Sequence, residues 1–492
     1  MKFKSESGDL LQTKADLYVV ANYEGKFNPK DFSGKINALL KKLPEELCKK
    51  QDYKGTLCEA KLIQTQGALK TPYVLYLGLG ASKDLNLENI RKWGASIQAY
   101  ANQLKAETIA IEVPGAGAKN VEFAEAVQSV VEGFVLNGYQ FSRYLKAKPV
   151  SIKQVTLVAP TSHARHAEAA IKRGELLARG VILTRDLVNT PANDMTPNDL
   201  AAQAKKLKGV TTKVHDLAAI KKLKMGAFLS VGLGSTENPP CFIEMHYKPK
   251  GKAKKKIALV GKGVTFDTGG YSIKPAKGME TMKSDMAGGA AVIGLMSIIS
   301  ELAPNVEVRG YIAATENMVD GFAQRPGDVC TAMNGKTIEV LNTDAEGRLT
   351  LADALLYANL QKPDYIIDMA TLTGACLVAL GMQITGGMTN DKKLLEMLSE
   401  AGSACGEKIW ELPLPDEYKD ELKSPIADLK NIGSGYAGAI LGGLFLEVFV
   451  GETKWAHLDI AGPSWTEKPL NYTPRGGTGV MVRTLARFLE QF

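Results

Sequence analysis

Asp344, Glu346 and Arg348 are spaced by two within the run Asn342-Thr343-Asp344-Ala345-Glu346-Gly347-Arg348-Leu349. In an extended segment, side chains at i, i+2 and i+4 share a face. Two carboxylates and a guanidinium would then line one wall, with Thr343, Ala345 and Gly347 turned away. Residues 349–358 follow with helical periodicity, so the run is expected at a loop-to-helix junction. In open α/β sheets, ligands bind at such junctions beyond the carboxyl ends of strands. An isolated Asp-x-Glu in this place is better explained as a helix cap and dipole partner. A second cluster changes the balance.

That cluster starts at the end of an apolar run, residues 257–260. It reads Gly261-Lys262-Gly263-Val264-Thr265-Phe266-Asp267-Thr268-Gly269-Gly270, then Ser272-Ile273-Lys274-Pro275 and Met282-Lys283-Ser284-Asp285. Its glycines permit close backbone approach and unusual dihedrals. Taken singly, Asp285 could cap the helix that starts near Ala287, and Lys262 and Lys274 could be surface lysines. Together with the first run they make four carboxylates, two lysines and an arginine at two strand-end junctions. Four converging carboxylates cannot all stay ionised without counter-charge. A pair of divalent cations supplies it, and hard oxygen ligands without thiolate suit Mn, Mg or a carboxylate-held Zn.

Other chemistries fit less well. The five histidines (His163, His166, His215, His246, His457) contain no His-x-x-x-His pair, which excludes a helix-borne zinc-protease site. Gly335-Lys336-Thr337 ends like a phosphate loop, but Cys330 stands where a glycine is required and a strand follows. Gly433-Ser434-Gly435 has Ile432 in place of the first glycine of a nucleophile elbow. Another two-metal hydrolase, such as a phosphoesterase, would be expected to cluster histidines with its carboxylates.

The elements that must position these groups alternate in type. Residues 17–20, 73–77, 108–111 and 155–158 are short apolar runs expected as buried strands, and residues 88–104 and 121–136 as helices. Residues 162–187 form one long polar, helical stretch that Asn189-Thr190-Pro191-Ala192-Asn193-Asp194 breaks with turn chemistry. A second alternating block follows, with strands at 257–260, 308–313, 365–368 and 455–460 and helices at 287–302, 349–359 and 437–450. The expected fold is α/β in two domains, the larger C-terminal one having a mixed, mostly parallel central sheet. The expected division is an N-terminal domain over 1–160, a linking helix over 161–188 and a catalytic domain over 189–492.

With 492 residues, 45% of them hydrophobic and 23% charged, the chain is neither disordered nor fibrous in character. The six cysteines are scattered without knuckle or redox spacing, and no apolar run follows the N-terminal lysines. A cytoplasmic location is expected. No membrane association is expected either, since the apolar stretch 366–380 is interrupted by Asp368, Thr371 and Thr373. The net charge of +7 and six lysines within residues 248–256 permit contact with an anionic partner such as nucleic acid, though a solvated loop accounts for them.

These runs resemble the leucyl aminopeptidase family, also called cytosol aminopeptidases. The octapeptide 342–349 matches the family's defining sequence in full, and the Lys262–Asp285 segments match its other site motifs. Asn189-Thr190-Pro191-Ala192-Asn193 and Asp459-Ile460-Ala461-Gly462-Pro463 add to the likeness. The resemblance covers roughly residues 180–480.

It implies a metal-dependent exopeptidase that releases N-terminal residues, Leu and Met preferred, from short unblocked peptides. Two divalent ions per subunit are implied, Mn or Zn, with Mg possible at the looser position. By position, Asp267 and Glu346 bridge the ions, Lys262 and Asp285 complete the tighter site, and Asp344 completes the looser one. Lys274 and Arg348 are the implied catalytic groups, Lys274 stabilising the oxyanion and Arg348 holding a bicarbonate proton relay. Lys262 must be neutral to act as a ligand, so its pKa is expected to be low. Met282, Asn342, Thr371, Leu372, Gly374 and Ala375 match the pocket-forming stretches, where a Met-lined pocket suits Leu or Met side chains. Met282 serves equally well as core packing. The family further implies a homohexamer with inward-facing sites, and some of its members also bind DNA.

Overall fold

The computed structural model describes residues 1–25, 31–114, 121–146, 152–159 and 164–492. The chain divides into two units: Met1–Ala178 with Pro469–Pro474, and Arg179–Lys468 with Arg475–Phe492.

The first unit is built on a six-stranded sheet. Its strands are β1 (Lys2–Ser7), β2 (Leu17–Tyr23), β3 (Ala60–Gln64), β4 (Tyr73–Gly80), β5 (Thr108–Glu112) and β6 (Gln154–Ala159), in the order β1-β6-β5-β2-β4-β3. All pairs are parallel except β3 with β4. In β2, Leu17 and Val19 enter the larger core with Trp93, Ile97, Val130 and Phe134, whereas Tyr18 and Val20 enter a smaller one with Ile36 and Leu40. Burial on both faces is why the strand is uniformly apolar rather than alternating. The expected strands and the helices Leu87–Gln103 and Phe123–Asn137 are all present. The edge strands β1 and β3 are additional.

The long helix is Ala164–Asn189. Its expected beginning, residues 161–163, lies outside the described residues.

The second unit holds an eight-stranded sheet and a small three-stranded one. Their strands are β7 (Thr211–His215), β8 (Cys241–Tyr247), β9 (Lys256–Asp267), β10 (Glu307–Asn317), β11 (Asp328–Thr331), β12 (Thr337–Val340), β13 (Tyr365–Ala370), β14 (Ile384–Thr389), β15 (Lys408–Glu411), β16 (Leu429–Lys430) and β17 (Lys454–Asp459). The large sheet has the order β15-β14-β17-β13-β9-β10-β8-β7. Its centre, β17-β13-β9-β10, is parallel, and antiparallel pairs flank it on both sides. The helices Gly347–Asn359 and Gly438–Glu447 contribute Leu351, Leu355, Leu444 and Phe445 to a core shared with Ala258, Val260, Ile366 and Trp455. The helix Ala287–Leu302 packs on β9. Ala276–Leu302 is long and apolar enough to cross a membrane by length and composition, but 78% of its apolar window is buried in the protein. Its hydrophobicity is spent on the core.

The parallel centre brings four strand ends to one edge. Asp267 closes β9, Asn317 closes β10, Thr371 follows β13 and Asp459 closes β17.

Candidate active site

Asp267 is buried at the end of β9. Its Oδ1 accepts from Asn317 Nδ2 at 2.7 Å and from the Gly269 amide at 2.8 Å. Its Oδ2 lies 2.8 Å from Lys274 Nζ, which is also 2.5 Å from Asp344 Oδ1. Gly269 has φ of +84°, and a Cβ there would stand 2.8 Å from Asp344 Oδ1, so both its backbone and its space call for glycine.

Lys262 lies deeper, in the interior of β9. Its Nζ is 2.8 Å from Asp285 Oδ2 and 2.8 Å from Glu346 Oε1, and donates to the Thr371 carbonyl at 3.0 Å. A Cβ at Gly347 would come within 2.7 Å of Lys262 Nζ, so that glycine makes room for the lysine. Asp285 is held from its other side by Thr371 Oγ1, which donates to Oδ1 at 2.7 Å. Asp285 does not cap the following helix; Met286 occupies the N-cap position.

The octapeptide is not extended, which corrects the expectation drawn from its i, i+2, i+4 spacing. The Asp344 amide donates to Asn342 Oδ1 at 2.8 Å and the Ala345 amide to the Asn342 carbonyl at 3.2 Å, closing a turn. Glu346 already has helical dihedrals, and Arg348 is the second residue of helix Gly347–Asn359. Turn and helix, rather than a strand face, present Asp344, Glu346 and Arg348. Gly347 does not turn away but faces Lys262.

One oxygen each from Asp267, Asp344 and Glu346 lies within 4.8 Å of the others, a spacing suited to a cation. Asp285 Oδ2, Asp344 Oδ1 and Glu346 Oε1 are buried and have no aligned hydrogen-bond donor, although an ammonium faces each. Buried oxygens that lack directional partners, with a lysine nitrogen among them, fit hard divalent cations.

The electrostatics express the crowding. Burial pushes Glu346 up to about 8, with Asp267 adding repulsion. Burial likewise lifts Asp285 to about 6 and raises Asp344. Burial disfavours the Lys262 ammonium, but Asp285, Glu346 and Asp267 outweigh it and hold its pKa above the ordinary lysine value. Lys274 is raised in the same way, chiefly by Asp267 and Asp285 against burial. These directions arise from the protein's own charges; the low pKa expected of Lys262 as a ligand is the one that two neighbouring cations would produce.

Arg348 is buried beside the Phe445 ring, its carbon 5.9 Å from the ring centre. Burial pulls its pKa down to about 10. Its Nη1 donates to the Asn431 carbonyl at 2.6 Å, while Nε is buried with no hydrogen-bond partner among the described residues.

The pocket candidates are less tightly gathered. Thr371 touches Lys262 and Asp285, and the Leu372 amide donates to Asp459 Oδ1 at 3.2 Å. Gly374 and Ala375 are exposed in the first turn of helix Gly374–Leu380. Asn342 is half-buried in the turn. Met282 is half-buried in the single turn Met282–Ser284 that leads to Asp285.

Two residues escaped the sequence reading. Asn431 accepts from the Leu341 and Asn342 amides and donates to the Asn342 carbonyl, so it staples the turn as well as holding Arg348. Asn317 joins Asp267 to the Thr343 carbonyl. For Asn317 the available signal was a polar residue closing a largely apolar strand; Asn431 follows only the two-residue strand Leu429–Lys430 and carried no such signal.

Known proteins resemble the chain in sequence and in fold. The catalytic domain of the cytosol aminopeptidase family matches residues 182–486, and the family's N-terminal domain matches residues 19–148. A probable cytosol aminopeptidase of Thermosynechococcus vestitus is 43% identical over 489 residues, covering 98% of this chain and 96% of its own. One from Aquifex aeolicus is 42% identical over 497 residues, covering 99% and 98%. Among solved structures, a mutant of tomato leucine aminopeptidase has a TM-score of 0.90 at 36% identity, over 100% of this chain and 97% of that one. The bottromycin maturation enzyme BotP, in complex with Mn, has a TM-score of 0.87 at 31% identity, over 97% and 99%. The chain belongs to the cytosol aminopeptidase family and is a metal-dependent aminopeptidase.

Proposed function

We propose that the chain releases N-terminal residues, Leu and Met preferred, from short unblocked peptides with the help of two divalent ions. The observation that carries this is the convergence of Asp267, Asp344 and Glu346 around Lys262 and Lys274. Asp267 and Glu346 would be shared between the ions, Lys262 and Asp285 would complete the buried position, and Asp344 the open one. Divalent ions supply Lewis-acid chemistry here, acidifying water and polarising the peptide carbonyl. Their positive charge also opposes that of Lys262 and favours its neutral, ligating form. Manganese or zinc suits the set, with magnesium at the open position; the manganese complex of BotP supports manganese.

The chain's own groups do the rest. Lys274 reaches the edge of the cluster as a cation and stabilises the negative charge that develops on the carbonyl oxygen. Arg348 would hold the bicarbonate ion that relays the proton, and its unpartnered Nε supports an anion there. A free α-amine could take a place at one of the ions, which would explain release from the N-terminus alone. Thr371, Leu372, Gly374, Ala375, Asn342 and Met282 would frame the side-chain pocket.

The same reading places the protein in the cytoplasm as a homohexamer, with domains over 1–160 and 189–492 joined by a helix over 161–188. Exposed apolar side chains such as Phe322, Val378, Trp410 and Tyr436 support an assembly. The test is hydrolysis of Leu-peptides, free and N-acetylated, by metal-free protein given Mn, Zn or Mg. Release from the free peptide alone, and only with metal, is expected. Equal cleavage of both peptides would sink the proposal.

A further inference from the structure

The parallel pairing of β9 with β10 is broken at one place. Val264 pairs with Thr315, but the next residue of β10, Glu316, pairs with Phe266, so Thr265 is passed over. This is a one-residue bulge in β9. Thr265 is buried, and its hydroxyl donates to the Thr315 carbonyl at 3.3 Å. Without the bulge, Asn317 would stand opposite Phe266. With it, Asn317 stands opposite Asp267. Because strand side chains alternate between faces, a slip of one residue exchanges what each partner meets. Bulges beside active sites commonly re-aim a side chain in this way.

The consequence is a buried pair. Asn317 is 2% exposed and its amide nitrogen donates to two acceptors, Asp267 Oδ1 at 2.7 Å and the Thr343 carbonyl at 3.0 Å. Its own carbonyl accepts from the Thr268 amide at 3.0 Å and from Thr268 Oγ1 at 2.9 Å. It therefore grips the residue after Asp267 as well as Asp267 itself. With the Gly269 amide also on Oδ1, that oxygen has two N–H donors, and Oδ2 is left facing Lys274, whose ammonium also meets Asp344. The link to Thr343 ties the same carboxylate to the turn that carries Asp344 and Glu346.

We infer that Asn317 is a positioning residue of the metal centre: it fixes the plane of the Asp267 carboxylate and directs Oδ2 toward the ions. The inference rests on the proposed role of Asp267 as a ligand. Outer hydrogen-bond partners of this kind change metal affinity by about 10- to 100-fold when removed.

The test uses full-length protein stripped of metal and titrated with Mn(II), bound ion being read by electron paramagnetic resonance. The visible spectrum of the Co(II)-loaded form is recorded alongside. Asn317→Leu keeps the volume and removes both donors. Asn317→Ser keeps polarity but is too short to reach, and it guards against misfolding of the Leu variant. Both should bind Mn(II) about 10- to 100-fold more weakly and shift the Co(II) spectrum. Glu316→Ala serves as the control, since Glu316 is the residue before Asn317 in the same strand but points to Ser235 and Asn238. Its affinity should stay within about threefold of the parent, well short of the outer-partner effect. Parent-like affinity in the folded Asn317 variants, or equal weakening by Glu316→Ala, would overturn the inference. Asp267→Asn is titrated in parallel: parent-like binding by that variant defeats the ligand reading itself, independently of Asn317.

Discussion

Lys262 and Lys274 each bridge two carboxylates, yet they sit in unlike surroundings. The Lys262 side chain is 4% exposed, and its partners Asp285 and Glu346 are 7% and 1% exposed. Lys274 is 19% exposed and Asp344 is 33% exposed. Lys262 also donates to a backbone carbonyl and is fitted against Gly347, which leaves it little freedom. Lys274 follows a loop that begins at Gly269 and Gly270, both with positive φ. One half of the site is thus built like a protein core and the other like a surface cleft. The buried half suits a permanent ligand set, whereas the open half suits exchange with solvent and contact with a substrate.

That contrast can be broken most severely at Glu346, the group proposed to be shared by the two halves. Glu346→Gln should remove metal from both positions and lower activity on the order of 10³-fold or more, read by metal analysis and peptide hydrolysis. If Glu346→Gln keeps two ions, Glu346 does not join the halves. Lys274→Ala should leave metal bound while kcat drops about 10²- to 10³-fold, as for loss of an oxyanion partner. Loss of metal instead would place Lys274 with the ligands. The next test compares Asp344→Asn with Asp285→Asn. Each should weaken one ion at least tenfold, roughly 1.4 kcal/mol, but Asp344→Asn should spare the slowly exchanging ion and Asp285→Asn the fast one. Stopped-flow removal by a chelator distinguishes them, and identical traces would erase the difference between the halves. The mildest change is Thr371→Val, which takes one donor from Asp285. It should weaken the slow ion roughly fivefold, about 1 kcal/mol. An effect on the fast ion alone would contradict the assignment of Thr371 to the buried half.

Much of this site was legible from residue types. Lys262, Asp267, Lys274 and Asp285 could be singled out because charged groups around a glycine-rich strand end have no obvious packing role. The helix after the octapeptide was equally visible in its periodicity. The local shape of the octapeptide was not. An i, i+2 spacing is compatible with a strand, but the Asn342 side chain captures the Asp344 amide and closes a turn instead. Local side-chain bonds of this kind compete with regular structure and carry no period. Asn431 and Asn317 stayed hidden for a related reason. Their partners lie 89 and 50 residues away in the chain, and a bond from a side chain to a distant partner leaves no pattern in sequence. The register that pairs Asn317 with Asp267 depends on a single bulged residue, Thr265, which no local signal in the sequence of β9 marks out. Edge strands β1 and β3 were missed because their partly solvated residues lack the continuous apolar signal of the central strands.

The two ammoniums among four carboxylates have a consequence for the stability of the fold. Two lysines offset only half of the four negative charges gathered at these strand ends. Divalent ions held there would supply the rest, and whatever binds the folded chain but not the unfolded one stabilises it by mass action. Metal supply and resistance to unfolding are then linked: a chelator should lower the melting temperature, and added Mn(II) should restore it.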